Sequence, residues 1–582
     1  MGKLMNWPLE SAAVGLVALL FYLRTLCRTV YVGDSGELIA AVYTLGIPHP
    51  PGYPLYVLLG KAFSVVVAIG NPAIRINLFS SFCAAAASAI FFLSLRFDGL
   101  SGGAASATAL SIAFGASMWS QATIARVYTP AACAISLTFY FVTRWNLNPQ
   151  QIGWLAAAIA IAGTGIALHP MVVVMLPATI VAAAFRRPSL FTDFRSLWLI
   201  GWILPGLALY LWVPLRALSK PRVRWGNLRT RDELIRYFFR GAYWKFRYVS
   251  TPRKAAEVIA FYCRRVSKEY GILGAVAIAV GIPIIARASP AFLAMVIVTA
   301  GGNAAAMIVH ARREDIFYWP RYMMAAWLAL AFPLGAGWWW IIGNLPAAVR
   351  TPALFALPIV LVLRGFRHRD LSRHRYAGDY SRRILRDLPA DSILIARDDN
   401  VLFPLMYLMY VEEIRRDVKL IDQAARDDGS MRFNPRRDSV YCTHWEAAFV
   451  MPAIDGAPGL RLVPEGLFYR VVSTDMDYVA RNLWRDSEPV EMEDQNIPRD
   501  YLTRRLLANV CIMRAEWESL DNKSACKTWC IKAAGIAWDC DAIQHNVGVI
   551  LEREGFTEVA KDFFAKAVKI RRNEGFRSDE TG

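Results

Sequence analysis

Apolar runs long enough to cross a membrane recur through the first 364 residues of the 582-residue chain. A hydrocarbon core of about 30 Å needs roughly 20 apolar residues per helix, with tolerance to about 17. Eleven segments come near this length, and each is predicted to be a span. They are Ser11–Leu26, Asn77–Phe97, Gly103–Trp119, Ile124–Val142, Ile152–Leu168, Met171–Phe185, Leu197–Val213, Gly271–Ala286, Pro290–Val309, Arg321–Ile342 and Thr351–Leu363.

The distribution of charge divides the chain into two parts. Residues 1–364 carry 32 Lys and Arg but only 11 Asp and Glu, whereas residues 365–582 carry 33 and 36. Overall, 55% of the residues are hydrophobic and 19% are charged, below the roughly 25% of a soluble domain. These values exclude a cytosolic enzyme, a disordered chain and a nucleic-acid-binding protein. They predict a polytopic membrane protein with a soluble tail.

The topology follows from the flanking charges. Ser11–Leu26 has no small-residue cleavage site after it, so we expect a retained anchor rather than a signal peptide. Tyr53–Gly70 contains Lys61 and follows a proline-rich stretch, which favours an interfacial or re-entrant helix. With a cytoplasmic N-terminus, most loop cations lie inside. The polar clusters and the tail then face the non-cytoplasmic side, which we expect to be the periplasm at a bacterial inner membrane.

Two acidic residues lie just beyond the first predicted span. Asp34 and Glu37 stand in the stretch Tyr31–Glu37 and are three positions apart, so a short helix would place both on one face. Ionisable groups at the edge of a bilayer are costly unless paired, which makes these two functional candidates. The alternative is that Asp34 only caps a helix whose first turn holds Glu37.

Several motifs resemble a widespread family of membrane proteins, long catalogued as a domain of unknown function. The most specific runs from Gly33-Asp34-Ser35-Gly36-Glu37 through Pro48-His49-Pro50-Pro51-Gly52-Tyr53-Pro54. The vertebrate member is an endoplasmic-reticulum protein O-mannosyltransferase that acts on plexin-type and receptor-kinase immunoglobulin-like domains. Weaker matches are Trp119–Ala122, Val127–Thr129, Gly165–His169, Pro214–Arg216, Trp225–Asn227, Asp315, Tyr318–Tyr322, Asp399–Asn400, Phe403–Leu405 and Arg415–Val418.

The resemblance implies a GT-C glycosyltransferase, mainly α-helical, that takes a sugar from a polyprenyl-phosphate carrier. It implies Asp34 as the general base for an acceptor hydroxyl, with Glu37 orienting the acceptor or holding a basic partner. Mannose is the expected sugar, and Ser or Thr of an exported protein is the expected acceptor. The candidate substrate-binding residues are His49, Tyr53, Gln121, Arg126, Tyr128, His169, Arg216, Trp225, Asn227, Asp315 and Arg321.

Arg126 departs from the family pattern, which usually has a glutamate at this position. Arg126 is therefore recruited to the carrier phosphate, or the substrate has changed or activity is lost; the alternative is an arginine that reaches for headgroups. A lipid phosphate needs cations on the same face, and Arg216 and Arg321 are the best candidates because each lies in a family-like string near a span end.

His49 and His169 do not have the spacing of a zinc motif, so we expect neither a metal nor a cofactor. His49 stands between prolines and is expected to fix its loop or hydrogen-bond the substrate. His169 ends an apolar run, where a hydrogen-bonded histidine facing the bundle is the more common arrangement.

The tail is predicted to contain two regions. Ser392–Ala396, Phe403–Val411 and Val418–Asp422 predict strand, helix and strand, as in a small α/β module over residues 365–500. From Tyr501 to the end the pattern is helical, and Gly548, Gly555 and Phe564 are spaced as in a tetratricopeptide-like hairpin. Five cysteines fall in the tail, and we expect a bridge such as Cys511–Cys530 or Cys526–Cys540.

Two other functions remain open on the sequence alone. A transporter is also polytopic, although its ionisable residues are expected within the spans rather than at one face. A GT-C enzyme could instead modify a lipid or an envelope polysaccharide.

Overall fold

The computed structural model describes residues 6–226, 228–241, 249–310, 319–422, 437–443, 459–484 and 499–573. These residues form two compact units. The helical unit comprises residues 6–27, 49–220 and 229–372. The mixed unit comprises residues 28–48, 221–228 and the tail from Arg373. The sequence suggested a boundary at residue 364; the mixed unit begins in the tail at Arg373 and also includes two segments from the N-terminal part.

The N-terminal part is helical throughout its described length. Its α-helices in chain order are α1 Trp7–Thr25, α2 Ser35–Thr44, α3 Pro54–Val66, α4 Pro72–Phe97, α5 Gly102–Ala113, α6 Ala116–Ala122, α7 Tyr128–Leu147, α8 Ile152–Gly165, α9 Met175–Arg186, α10 Leu204–Ala208, α11 Trp212–Leu218, α12 Arg231–Phe238, α13 Pro252–Ala288, α14 Pro290–His310, α15 Trp319–Tyr322, α16 Met324–Gly343, α17 Ala347–Leu354 and α18 Ala356–Arg369. The 3-10 helices are Pro170–Val174, Pro188–Phe191, Phe194–Ile203 and Leu209–Leu211.

The chain is an integral membrane protein. Within the described ranges, seven helical segments are long and apolar enough to cross a membrane, and three shorter apolar helices accompany them. The seven are Trp7–Thr25, Pro72–Phe97, Phe194–Leu218, Pro252–Ala288, Pro290–His310, Met324–Gly343 and Ala347–Arg369. Tyr53–Gly70 forms the 13-residue helix α3, too short for a straight span. Helix covers most of each of the eleven predicted spans, and their number across the membrane stays a prediction.

Some predicted spans are not continuous helices. Gly103–Trp119 is divided into α5 and α6 at Phe114 and Gly115. Leu197–Val213 is built from short α and 3-10 turns, with Pro205 within the segment and Pro214 directly after it. Proline lacks the backbone N–H that a continuous helix requires, so such stretches divide into turns.

The closest helix packing in the helical unit lies between α13 and α16. A Cβ atom at Gly281 would stand 1.8 Å from the Pro333 carbonyl oxygen, and one at Gly337 would stand 1.9 Å from that of Ala277. Only glycine permits this backbone approach, which is typical of helix pairs in membranes. Helix α13 also has a break at Gly271, where φ is 73° and ψ is 170°.

The mixed unit contains a five-stranded sheet in the order β2-β1-β3-β5-β4. Strands β1, β2 and β3 are parallel, whereas β5 pairs antiparallel with β3 and with β4. The predicted strand, helix and strand are present in that order. The elements are α19 Tyr376–Asp387, β1 Ile393–Ala396, α20 Asp399–Tyr410, β2 Lys419–Asp422, β3 Val440–Cys442, β4 Leu460–Glu465 and β5 Phe468–Ser473.

In the described part of the tail, four helices follow the sheet. Gly548 on the third packs on the ring of Phe564 on the fourth, since a Cβ there would stand 2.7 Å from the ring carbon Cε1. The tetratricopeptide-like assignment stays a prediction. The helices are α21 Tyr501–Glu518, α22 Lys523–Ile536, α23 Asp541–Arg553 and α24 Thr557–Asn573.

The expected disulfide is not present. The nine cysteines are thiols, and Cys511, Cys526, Cys530 and Cys540 are buried. They lie within the hydrophobic packing of α21 to α23, where a thiol fills space as a small apolar side chain.

Candidate active site

In the helical unit, the loop before α3 brings His49 and Tyr53 together. The Tyr53 hydroxyl lies 3.0 Å from His49 Nε2, and the Gly52 N–H donates to the His49 carbonyl oxygen at 2.9 Å. Gly52 has φ of 93°, a conformation that side chains disfavour, and a Cβ there would stand 2.7 Å from the Tyr237 hydroxyl. Pro54 then begins α3, because proline suits the first turn of a helix.

His169 lies between two tyrosine rings. Its ring is parallel to that of Tyr53 within 7° at a centroid distance of 5.7 Å, and the Tyr128 ring is at 5.1 Å. The Met171 N–H donates to His169 Nδ1 at 3.1 Å. Burial, with Arg240, His49 and Arg321 adding to it, lowers the pKa of His169 to about 3. His169 is therefore neutral at pH 7, and its proton resides on Nε2, which becomes a hydrogen-bond donor.

Arg321 completes this group of side chains. It is 6% exposed, and its guanidinium carbon lies 5.4 Å from the centre of the Tyr128 ring. We call His49, Tyr53, Tyr128, His169 and Arg321 the His–Tyr–Arg cluster. It combines a fixed cation with neutral hydrogen-bond donors and flat aromatic faces. Such a set suits a phosphate group joined to a sugar, since arginine binds phosphate oxygens in a fork and aromatic rings stack on sugars.

Gln121 and Arg126 are also buried in the helical unit, close to Tyr128 in the sequence. Gln121 is at the end of α6 and donates from Nε2 to Ser120 Oγ at 3.1 Å. Arg126 is 1% exposed, and its backbone N–H donates to Ser80 Oγ at 3.2 Å. Its guanidinium acts electrostatically on the hydroxyl of Tyr56, which is also fully buried. A fully buried arginine does not fit the alternative of a side chain that reaches out to headgroups.

Glu269 is a buried carboxylate that the sequence analysis missed. It is 2% exposed, and the Ser117 N–H donates to both its oxygens at 3.0 Å. The Ser117 hydroxyl lies 2.8 Å from this carboxylate and 3.1 Å from the carbonyl oxygen of Pro320, which directly precedes Arg321. Glu269 therefore joins α13 to the start of α6, and Ser117 in turn contacts the segment that carries Arg321. No motif surrounds it, and only its position just before the apolar run Gly271–Ala286 could have drawn attention to it.

In the mixed unit, Asp34 and Glu37 lie at the start of α2. Asp34 is the residue before the helix and is half-buried, while Glu37 in the first turn is 1% exposed. Within the described residues, the Asp34 side chain accepts no capping hydrogen bond from the first turn. The two acids occupy the positions that the capping alternative assigns to them, but the hydrogen bond that defines a cap is not made.

Four further candidate residues are not part of the His–Tyr–Arg cluster as described. Arg216 on α11 is half-buried and donates to Ser219 Oγ at 2.8 Å. Trp225 belongs to the mixed unit, where its N–H donates to the Ile47 carbonyl oxygen at 3.2 Å. Asn227 and Asp315 lie outside the described residues. The structure thus brings five of the candidates together in the cluster, and their role in binding stays a prediction.

Among the residues that the structure describes, no group of three or more His, Cys, Asp or Glu side chains could hold a metal ion.

Comparisons with known sequences agree with the motifs. Residues 34–192 match the family model described as the protein O-mannosyl-transferase TMEM260 N-terminal domain. Protein O-mannosyl-transferase TMEM260 of Mus musculus is 32% identical over 243 residues, covering 40% of this chain and 34% of that protein. The Dictyostelium discoideum protein of the same name is 23% identical over 482 residues, covering 71% of this chain and 58% of that protein. The match thus spans about a third of the mouse relative and less than two thirds of the other.

Solved structures show the fold. ArnT from Cupriavidus metallidurans bound to undecaprenyl phosphate aligns with a TM-score of 0.50 at 15% identity, covering 81% of this chain and 98% of ArnT. The same protein in its apo state aligns with the same score at 14% identity. Residues 34–192 are thus similar to a TMEM260 N-terminal domain, and the chain has a membrane-protein fold similar to that of ArnT.

Proposed function

We propose that this chain transfers a sugar, with mannose the first candidate, from a polyprenyl-phosphate carrier to a hydroxyl group on the non-cytoplasmic face. The proposed acceptor is Ser or Thr of an exported protein. The names of the relatives support transfer of mannose to protein. The undecaprenyl phosphate bound by ArnT supports a lipid-linked phosphate donor.

The observation that carries the proposal is the His–Tyr–Arg cluster. Arg321 supplies a permanent charge, and neutral His169 supplies an Nε2–H donor. When the sugar leaves its carrier, negative charge grows on the phosphate. A fixed arginine stabilises that charge more in the transition state than in the ground state, which is the condition for catalysis. Tyr53 and Tyr128 provide faces for the sugar, and buried Arg126 is assigned to the same phosphate.

Asp34 is assigned as the general base in the same reaction. The acceptor oxygen forms a bond with C1 of the sugar, the bond from C1 to the phosphate oxygen breaks, and its electron pair leaves with the phosphate. The hydroxyl proton passes to the Asp34 carboxylate. Glu37 orients the acceptor or a basic partner, and neither a metal nor an organic cofactor takes part.

The test is a transfer assay with the purified full-length chain and polyprenyl-phosphate mannose. We expect Asp34→Asn to lower kcat about 10²- to 10⁴-fold, the usual contribution of a general base. Arg321→Ala should lower kcat about 10²- to 10³-fold and raise KM for the donor. Chelation of divalent cations should leave the rate unchanged.

Two matched variants control for the loss of a charge. Asp193→Asn and Arg287→Ala change exposed residues of the same types and should leave activity unchanged. An inactive wild-type protein, or a fully active Asp34→Asn variant, would contradict the proposal. If the labelled sugar appears in lipid or polysaccharide instead of peptide, the proposed acceptor is wrong but the proposed transferase activity stands.

A further inference from the structure

The tail motif Asp399–Asn400 with Phe403–Leu405 has no part in the proposed chemistry, yet it packs on the acidic turn. It begins α20, and α20 packs against α2 within the mixed unit. The Gly33 N–H, directly before Asp34, donates to Asn400 Oδ1 at 3.1 Å. Asn400 is 4% exposed, so this bond is shielded from water.

The amide of Asn400 is held in one orientation by its neighbours. Its backbone N–H and its Nδ2 both donate to Asp398 Oδ1 at 2.8 Å. The second oxygen of Asp398 accepts from Arg505 on α21, also at 2.8 Å. A flipped amide would place NH₂ against the Gly33 N–H, donor against donor. Asn400 Oδ1 is therefore fixed as the acceptor for Gly33.

Glycine on the other side of Asp34 permits a second contact. A Cβ at Gly36 would stand 2.2 Å from the Phe403 carbonyl oxygen and 2.7 Å from the Pro404 nitrogen. The backbone of α2 therefore lies directly on the backbone of α20. Gly33 has φ of 67°, which glycine adopts without strain. Asp34 thus stands between two glycines that both meet α20.

The far end of the segment is held as well. The Ile47 N–H donates to the Val223 carbonyl oxygen at 2.8 Å, and the Trp225 N–H donates to the Ile47 carbonyl oxygen at 3.2 Å. The Trp225 and Phe403 ring centres are 6.3 Å apart. Residues 28–48 are therefore fixed at both ends by other parts of the mixed unit.

We propose that Asn400 is a positioning residue for Asp34 and that the start of α20 sets the geometry of the acidic turn. This rests on the proposed function, in which Asp34 receives the acceptor proton. A general base must lie within hydrogen-bond reach of its substrate, and a displacement of 1 Å can cost about 10²-fold in rate. The soluble tail is then part of the catalytic apparatus.

The experiment measures transfer kinetics and amide hydrogen exchange of the full-length chain. We expect Asn400→Ala to lower kcat about 10- to 100-fold, to leave KM for the donor within about twofold, and to speed exchange over residues 33–38. In an Asp34→Asn background, Asn400→Ala should have no further effect on kcat, because the base that it positions is absent.

Two further variants keep the test decisive. Asn522→Ala removes the same kind of hydrogen bond, from Ala525 N–H to Asn522 Oδ1 at 3.0 Å in α22, and should leave both readouts unchanged. Arg505→Met removes the outer bond to Asp398 and leaves Asn400 in place. It should lower kcat about three- to tenfold, so it serves if Asn400→Ala does not fold.

The outcomes separate the two proposals. If the wild type is inactive but residues 33–38 exchange faster in Asn400→Ala, the proposal of sugar transfer fails and the contact between Gly33 and Asn400 stands. If exchange over residues 33–38 is unchanged in Asn400→Ala, Asn400 does not hold the turn and the proposed contact is wrong. The positioning role is overturned if Asn400→Ala speeds exchange but leaves kcat unchanged. It is also overturned if Asn400→Ala lowers kcat by the same factor in the wild type and in the Asp34→Asn background.

Discussion

A single carboxylate, Glu269, supports one buried junction of the helical unit. It accepts from the backbone and the hydroxyl of Ser117 and interacts electrostatically with Arg265 and Arg369. Removing one partner of a buried hydrogen-bonded group leaves the others desolvated and unpaired, which costs more than the net value of the bond. The position is thus sensitive to substitution although it lies outside the motifs.

Glu269→Ala should lower the free energy of unfolding by about 3 kcal/mol, because Ser117 loses its acceptor and the arginines lose their counter-charge. Thermal unfolding in detergent measures the change. Glu257→Ala on the same helix is the control. Its partner Arg253 is 91% exposed at 3.7 Å, so the loss should stay below about 1 kcal/mol. Equal losses from both variants would contradict the prediction.

His374 gives the mixed unit a dependence on acid. Burial lowers its pKa to about 4, although Asp500 acts in the opposite direction, and Nε2 lies 3.1 Å from Thr503 Oγ1. Between pH 6.5 and 4 the unfolded chain binds a proton that the folded chain does not. Stability should therefore fall as the pH decreases, by up to about 1.4 kcal/mol per unit, and be independent of His374 above pH 6.5.

Chemical unfolding at several pH values measures this dependence. His374→Gln removes the titrating group, so its stability should change less steeply between pH 6.5 and 4 than that of the wild type. The same slope in both proteins would show that His374 does not contribute.

For single residues, the sequence identified candidate site residues better than it identified the side chains that pack around them. Tyr53, His169 and Arg321 were identified from family-like strings, and they do meet in one cluster. Glu269 was not identified, because its partner Ser117 lies 152 positions away and no local spacing encodes such a pair.

At the scale of elements, glycine determines how α13 and α16 approach. The backbones touch at Gly281 and Gly337, so even one added methyl group must separate the helices or distort them. Gly301 on α14 is different, since no described atom lies within 4 Å of a Cβ placed there.

Gly281→Ala should destabilise the helical unit by about 3 kcal/mol, because its Cβ would overlap a carbonyl oxygen that cannot rotate away. Gly301→Ala should be neutral or stabilise by up to about 1 kcal/mol, since alanine favours helix. Thermal unfolding of both variants in detergent compares them. A Gly281→Ala variant as stable as Gly301→Ala would contradict the assigned packing.

Hydrophobic runs predicted where helices occur but not how each is divided. Gly103–Trp119 reads as one span, yet it is two helices because Glu269 packs at Gly115, where a Cβ would stand 2.6 Å from its oxygen. That interruption comes from a tertiary contact. The strand, helix and strand around α20 were found from the sequence, because alternation and turn residues are local signals.

Across the whole molecule, the reactivity of the cysteine thiols should differ between the folded and the unfolded chain. Cys263 is exposed, Cys83 and Cys133 are half-buried, and the other six cysteines are buried. With a maleimide under native conditions, Cys263 should react first. After denaturation without a reductant, mass spectrometry should find nine adducts. A smaller number would reveal a disulfide and restore the bridge expected from the sequence.

The division into an apolar N-terminal part and a charged tail follows from composition, but the content of the mixed unit does not. Apolar length and charge separate residues before and after about position 364. They carry no signal that residues 28–48 pack with the tail, since that packing depends on backbone approach at Gly36 and on one amide at Asn400.

The 367 positions between Gly33 and Asn400 have a consequence for biosynthesis. A ribosome adds about 5–20 residues per second, so roughly 20 to 70 s pass between the two. The turn that bears Asp34 is made early, but it gains this hydrogen bond only after residue 400 has been added. A nascent chain stopped before residue 400 therefore carries both acids without the amide that accepts from Gly33, and translation itself delays the completion of this turn.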